Sequence, residues 1–176
     1  MDYSIKNYTL LKSLLGKELT DMKTFELFTD DYWEKVYFSI AGRIVVITNS
    51  EMEVKLEANS EPLTLLDVSE SNEIGKFNKE MVFTQLIKDI VVTNECYCSA
   101  ESDYCFKSTK AITFILTDLT ITVSKDSWTD EGLKIIFGDN WDEMIAQYST
   151  CIYDEDSVYS SSKTVEYIKV STVKTY

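Results

Sequence analysis

Residues 38–56 run Phe38-Ser39-Ile40-Ala41-Gly42-Arg43-Ile44-Val45-Val46-Ile47-Thr48-Asn49-Ser50-Glu51-Met52-Glu53-Val54-Lys55-Leu56. Apolar positions recur there every second residue or in short β-branched runs, the pattern of extended chain on a half-buried sheet. Ala41-Gly42 and Asn49-Ser50 interrupt it with turn-forming residues. The pattern therefore predicts three strands, 38–40, 43–48 and 52–56, joined by two short corners into an antiparallel meander.

Upstream, Ile5, Tyr8, Leu11, Leu14 and Leu15 repeat at three- and four-residue spacing and stop at Gly16. That is an amphipathic helix ending at the residue that best tolerates a left-handed cap. Downstream, the chain echoes itself. Leu14-Leu15 with Lys17-Glu18-Leu19-Thr20-Asp21 finds a loose copy in Leu86-Ile87-Lys88-Asp89-Ile90-Val91-Val92-Thr93-Asn94. Residues 38–47 find another in Phe114-Ile115-Leu116-Thr117-Asp118-Leu119-Thr120-Ile121-Thr122-Val123, and Val54-Lys55-Leu56 in Leu133-Lys134-Ile135. After Gly138-Asp139-Asn140, a turn and helix-start signal, Trp141, Met144, Ile145 and Tyr148 follow at helical spacing and predict a short helix over about 140–148. Thr164-Val165-Glu166-Tyr167-Ile168-Lys169-Val170 reads as a last strand added to a sheet edge.

With few glycines and a single proline, Pro62, no linker divides the chain. The expectation is one domain over 1–176 of the α+β class. It is mostly antiparallel β-sheet built from two loosely repeated helix-plus-meander halves, 5–58 and 77–138, with few short helices and a C-terminal helix and strand over 139–172.

Thirty acidic residues face seventeen basic ones, a formal net charge of -13 in a chain without histidine. The sign disfavours direct contact with nucleic acid or anionic membrane and favours a protein partner with a basic surface. Without imidazole, every scheme that uses it as base, shuttle or metal ligand is excluded, and Arg43 is the only arginine for a bidentate oxyanion clamp. Phosphate-binding glycine motifs and GxSxG are absent. No run of about 18 apolar residues occurs, and charge enters the first residues early, so neither a bilayer span nor a secretory leader is expected and the expected compartment is the cytoplasm. There Cys96, Cys98, Cys105 and Cys151 are expected to be reduced, packed thiols. The one-residue gap in Cys96-Tyr97-Cys98 is too short for the ligand pairs of zinc ribbons, and no cofactor is expected.

Carboxylates supply the remaining candidates. Asp139-Asn140-Trp141-Asp142-Glu143 and Tyr153-Asp154-Glu155-Asp156 combine negative charge with aromatic rings, the pairing that steers and then anchors a basic protein partner. The first run equally suits a helix start, where Asp139 or Asn140 caps free N–H groups, and the second a solvated loop. Asp30-Asp31-Tyr32-Trp33-Glu34 repeats the mixture, with Tyr32, Trp33 and Val36 expected in the core and the carboxylates in water.

A strongly acidic, histidine-free α+β chain with strand–turn–strand segments such as 112–123, leading to Leu133-Lys134-Ile135-Ile136-Phe137-Gly138-Asp139-Asn140-Trp141, resembles bacterial immunity proteins of polymorphic and contact-dependent toxin systems. The resemblance lies in composition and architecture. It implies a non-catalytic inhibitor that occludes the active site of a cognate toxin domain. Asp139, Trp141, Asp142, Glu143, Tyr153, Asp154, Glu155 and Asp156 are the expected contact residues. The alternatives are an acidic phage-encoded DNA mimic that blocks a host nucleic-acid-binding protein, and an enzyme that uses paired carboxylates with a divalent metal.

Overall fold

Ala41 and Gly42 hold positive φ angles of 49° and 78°, and Ile40 pairs with Arg43 across them. This is the two-residue corner whose backbone twist matches two antiparallel strands. It joins β3 (Trp33–Ile40) to β4 (Arg43–Leu56) in the computed structural model, which describes residues 2–26, 33–56, 59–99, 105–125, 132–143 and 161–174. The other strands are β1 (Asp2–Tyr3), β2 (Glu18–Glu26), β5 (Asn59–Ser71), β6 (Lys79–Leu86), β7 (Asp89–Ser99), β8 (Cys105–Ile115), β9 (Thr120–Lys125), β10 (Leu133–Phe137) and β11 (Ser161–Lys169). Helix α1 (Tyr8–Ser13) and a 3-10 turn at Val170–Thr172 complete the set. The predicted first helix is thus present but shorter, started by the Asn7 side chain accepting from the Leu10 N–H and followed by Gly16 at φ 70°.

The second predicted corner does not exist. Asn49 and Ser50 continue β4, paired with Leu66 and Leu65 of β5. What the polar pair marks instead is a fork: β4 pairs with β3 only as far as Thr48, opposite Lys35, and beyond that follows β5 alone. The space it leaves beside β3 is taken by β10, through the pairing of Leu133 with Trp33.

Hydrogen bonding gives the order β11-β7-β8-β9-β10-β3-β2-β6, with β4 and β5 branching from β3 and β1 lying parallel to the part of β8 that β9 does not cover. In a flat sheet β8 and β3, three steps apart, would be separated by about 14 Å. Yet the rings of Phe38 on β3 and Phe114 on β8 lie 4.8 Å apart. The sheet therefore folds over at the β10–β3 junction into two layers, β11-β7-β8-β9-β10 above and β5-β4-β3-β2-β6 below.

The core fills the space between them. Val36, Phe38 and Ile40, Val45 and Ile47, and Leu66 and Val68 meet Ile90 and Val92, Ile112 and Phe114, and Ile121 and Val123, with Leu10, Leu11 and Leu14 of α1 in the same cluster. Each fully buried ring is worth about 1.5–3 kcal/mol of transfer free energy, and a tilted aromatic pair about 1 kcal/mol more. Among the other expected core residues Val36 is fully buried and Trp33 is half-buried against the cluster, while Asp30, Asp31 and Tyr32 lie outside the described residues.

The echoed segments 38–47 and 114–123 are both hairpins, and Phe38 and Phe114 meet in the core. The correspondence stops there: residues 77–138 hold five strands, and none of their described residues forms a counterpart of α1. β11 pairs along β7 from Ser161↔Ser99 to Lys169↔Val91, as the last strand was expected to do at a sheet edge.

A left-handed conformation costs an alanine on the order of 1 kcal/mol, and asparagine tolerates it better. Ala41→Asn, at an exposed corner, is expected to raise unfolding stability by about 0.5–1 kcal/mol, read as a higher denaturant midpoint at unchanged m-value.

Candidate functional site

One row of directly paired residues crosses the outer face of the upper layer: Tyr167, Thr93, Ala111, Ser124 and Lys134. Three small side chains between two large ones leave a shelf. Trp141 sits on it, packed against Ala111 and Ile136, and meets the Tyr167 ring edge-on at 5.6 Å between centroids and 75° between planes. The chain reaches this position through a corner held to the start of β9. Gly138, at φ 110°, donates its N–H to the Thr120 carbonyl at 2.9 Å, and the Asp139 carboxylate accepts from the Thr120 hydroxyl at 2.8 Å. A helical turn then covers residues 141–143, and the remainder of the expected helix lies outside the described residues.

Asp139, Trp141, Asp142 and Glu143 are thus brought to one place, the carboxylates exposed and the indole half-buried. Asp139 bonds to a neighbouring strand. Burial pushes the Tyr167 phenol above its ordinary value, and the Asp142 and Glu95 carboxylates push it further. Tyr167, 48% exposed, belongs to this surface although sequence reading did not select it. Its signal was available in the alternation of β11, which puts Val165 and Tyr167 on one face. The other expected contact residues, Tyr153, Asp154, Glu155 and Asp156, lie outside the described residues.

Behind β11, the Glu166 carboxylate accepts from Lys107 and from the Asn94 amide, and the Lys107 hydrogen bond holds it below the usual carboxylate range. This ties β11, β7 and β8 together beside the aromatic pair. Arg43 is engaged elsewhere, on Glu70 and the Ser13 hydroxyl beside a shallow pocket lined by Asn7, Thr9 and Leu10. Among the described residues no three His, Cys, Asp or Glu side chains gather as metal ligands, and no helix is long and apolar enough to cross a membrane.

The cysteines differ from expectation. Cys98 and Cys105 are direct cross-strand partners in the β7–β8 hairpin, with Cα atoms 4.2 Å apart, and they form a disulfide; Cys96 remains a thiol. Pairing register, invisible in the spacing, brings them together. Cys151 lies outside the described residues.

A second group of polar residues is buried around Lys125. Glu95, Ser108, Lys110, Thr64 and Lys125 are all buried. A bulge at Lys110 interrupts the alternation of β8, so Ser108 pairs with Glu95 on the face of Thr93 and Ala111, while Thr109 pairs with Asn94 on the face of Ile112 and Phe114. Lys125 Nζ donates to the Thr64 carbonyl at 2.9 Å and to Ser108 Oγ at 2.7 Å, spanning both layers. Burial pushes Lys125 down to about 7, with Glu95 raising it and Lys110 lowering it further. Amines of this kind serve as nucleophiles when substrate can reach them, but at 1% exposure Lys125 has no such path and acts on stability.

Compared with known proteins, the chain matches no family model, no curated protein and no solved structure.

Above pH 7 the folded chain has given up the Lys125 proton while the unfolded chain, titrating near 10.5, still holds it. The unfolded state then binds more protons, so this group makes stability rise with pH between about 7 and 10.5; below pH 7 its destabilising effect is full and constant. The raised values of Tyr8, Tyr167, Lys23 and Lys107 act above about pH 10. Denaturation between pH 7 and 9.5 should therefore show rising stability in the wild-type protein and a flatter profile in Lys125→Met, and identical slopes would contradict the assignment.

Proposed function

We propose that this chain is a non-catalytic acidic binding protein, an immunity protein that neutralises a cognate bacterial toxin domain in the cytoplasm by covering its active site. The observation that carries the reading is the Trp141–Tyr167 pair, rimmed by the exposed carboxylates of Asp139, Asp142 and Glu143. An aromatic pair half-sunk in its own sheet needs little ordering on binding, and such anchors dominate interface energetics. The carboxylates around it, on a chain of net charge -13, steer a basic surface into the encounter. Association is thus electrostatic in rate and aromatic in residence time. Occlusion is a sufficient mechanism, since a cationic cleft filled by this surface can no longer admit an anionic substrate.

The reading is tested by affinity capture with the tagged full chain from native lysate, washed over a salt series. The expected result is one stoichiometric partner that is toxic when expressed alone and harmless when the two are co-expressed. Against that partner, Asp142→Lys with Glu143→Lys should slow association by about tenfold at low salt and much less at high salt. Tyr167→Ala should act mainly on dissociation, weakening the complex by about tenfold to a hundredfold. Capture of a DNA-binding host protein that DNA displaces would replace the toxin with a nucleic-acid-binding target. An association rate insensitive to the charge reversals would move the interface elsewhere on the surface.

A further inference from the structure

The lower layer ends at β6, and on its outer side no strand is paired among the described residues. Unpaired strand edges are templates for another strand, and proteins ordinarily blunt them with charge. Two of the other edges are blunted in this way: β5 exposes Asp67 and Glu70, and β11 exposes Glu166 and Lys169. β6 differs. After Lys79 and Glu80 it runs Met81-Val82-Phe83-Thr84-Gln85-Leu86 without a charge, and Val82, Leu86 and Met81 are 78%, 53% and 41% exposed.

We propose that β6 is a self-association edge: two copies of this chain pair antiparallel through residues 79–84 about a two-fold axis, joining their lower layers into one continuous sheet. Charge selects the occupant. Between Glu73 and Asp89 three acidic residues, Glu73, Glu80 and Asp89, balance three basic ones, Lys76, Lys79 and Lys88, in a chain that is otherwise strongly acidic. Glu80 is held by Lys23 at 3.1 Å, and Lys79 lies over the Trp33 ring at 4.8 Å. A neutral edge offers no field to steer a strongly charged partner of either sign, and its own copy is a neutral, apolar strand of matching length.

Direction follows from the same residues. Parallel copies would set Lys79 against Lys79 and Glu80 against Glu80. With the two-fold between Met81 and Val82, antiparallel copies set Lys79 opposite Thr84, Glu80 opposite Phe83 and Met81 opposite Val82, so that no charge faces a charge. The bulge that places Phe83 and Thr84 opposite Thr20 adds local twist, which both copies share. The Leu86 end stays outside the pairing, held by the 117–118 corner: the Thr117 hydroxyl donates to the Leu86 carbonyl and the Asp118 N–H to the Gln85 side chain.

Sedimentation velocity on the full chain, from about 1 to 300 µM, tests the proposal. A monomer–dimer equilibrium is expected, strengthened between low and high salt as repulsion between the two acidic bodies is screened. Val82→Lys is expected to weaken the dimer by at least about tenfold, and Thr84→Lys, at a second exposed position, should do the same. Val165→Lys on the β11 edge is the control that leaves the dimer intact. Circular dichroism melts establish that each variant is folded. A wild-type chain that stays monomeric throughout the range, or a dimer unmoved by both β6 variants, overturns the proposal.

Discussion

The fold depends on one sheet closing over itself so that Phe38 and Phe114 meet. Closure needs a place where the hydrogen-bonded network can turn through a sharp angle without leaving backbone groups stranded, and the β10–β3 junction provides it. Among the described residues Leu133 pairs with Trp33 there, and the two layers meet at that pair. The fork in β4 makes this junction possible: β4 must leave β3 after Thr48 before β10 can approach at Trp33. Once closed, the layers leave an open side that α1 fills. Its Asn7 amide reaches the Val68 carbonyl of β5, and Lys12 reaches the Val173 carbonyl beyond β11.

Apolar contact alone would hold two such layers together in several registers. The buried polar group around Lys125 restricts the choice. Lys125 finds its acceptors only when the Thr64 carbonyl of one layer and the Ser108 hydroxyl of the other stand within 3 Å of its amine. Any sliding of the layers would break these two bonds of a buried amine, at a cost of several kcal/mol. The cluster therefore lowers stability relative to a hydrocarbon core of the same volume while penalising every misaligned alternative. Glu95 adds opposite charge to the same space, which keeps two buried lysines from facing each other uncompensated.

Much of the sheet could be read from the sequence because alternation and β-branching are local properties. The corner at Ala41-Gly42, the end of the first helix near Gly16 and the last strand all follow from residue type within a few positions. The false corner at Asn49-Ser50 shows the limit: the residues were rightly seen as exceptional, but their role at a fork depends on β10, more than eighty residues away. The disulfide and the buried lysines fail to show for the same reason, since register decides which residues face each other. That Asp139, Trp141, Asp142 and Glu143 lie together was legible, as they fall within five consecutive residues. Tyr167 joins them only through the pairing of β11 with β7, and the small residues beneath Trp141 gain their meaning only when three strands are laid side by side.

Charge is distributed unevenly over the folded chain, and in the two proposals the unevenness separates two tasks. Carboxylates rim the aromatic pair on the outer face of the upper layer, where their field repels a like copy and, in the proposed function, steers a basic partner. The neutral segment from Glu73 to Asp89 lies at the edge of the lower layer, where two copies can approach without meeting the bulk of each other's charge. Because the surfaces belong to different layers, pairing through β6 leaves both acidic faces open. A dimer of that kind presents two equivalent binding surfaces in fixed relation. A partner that is itself dimeric or arrayed, and whose spacing matches, then gains avidity from geometry without any new contact at the aromatic pair.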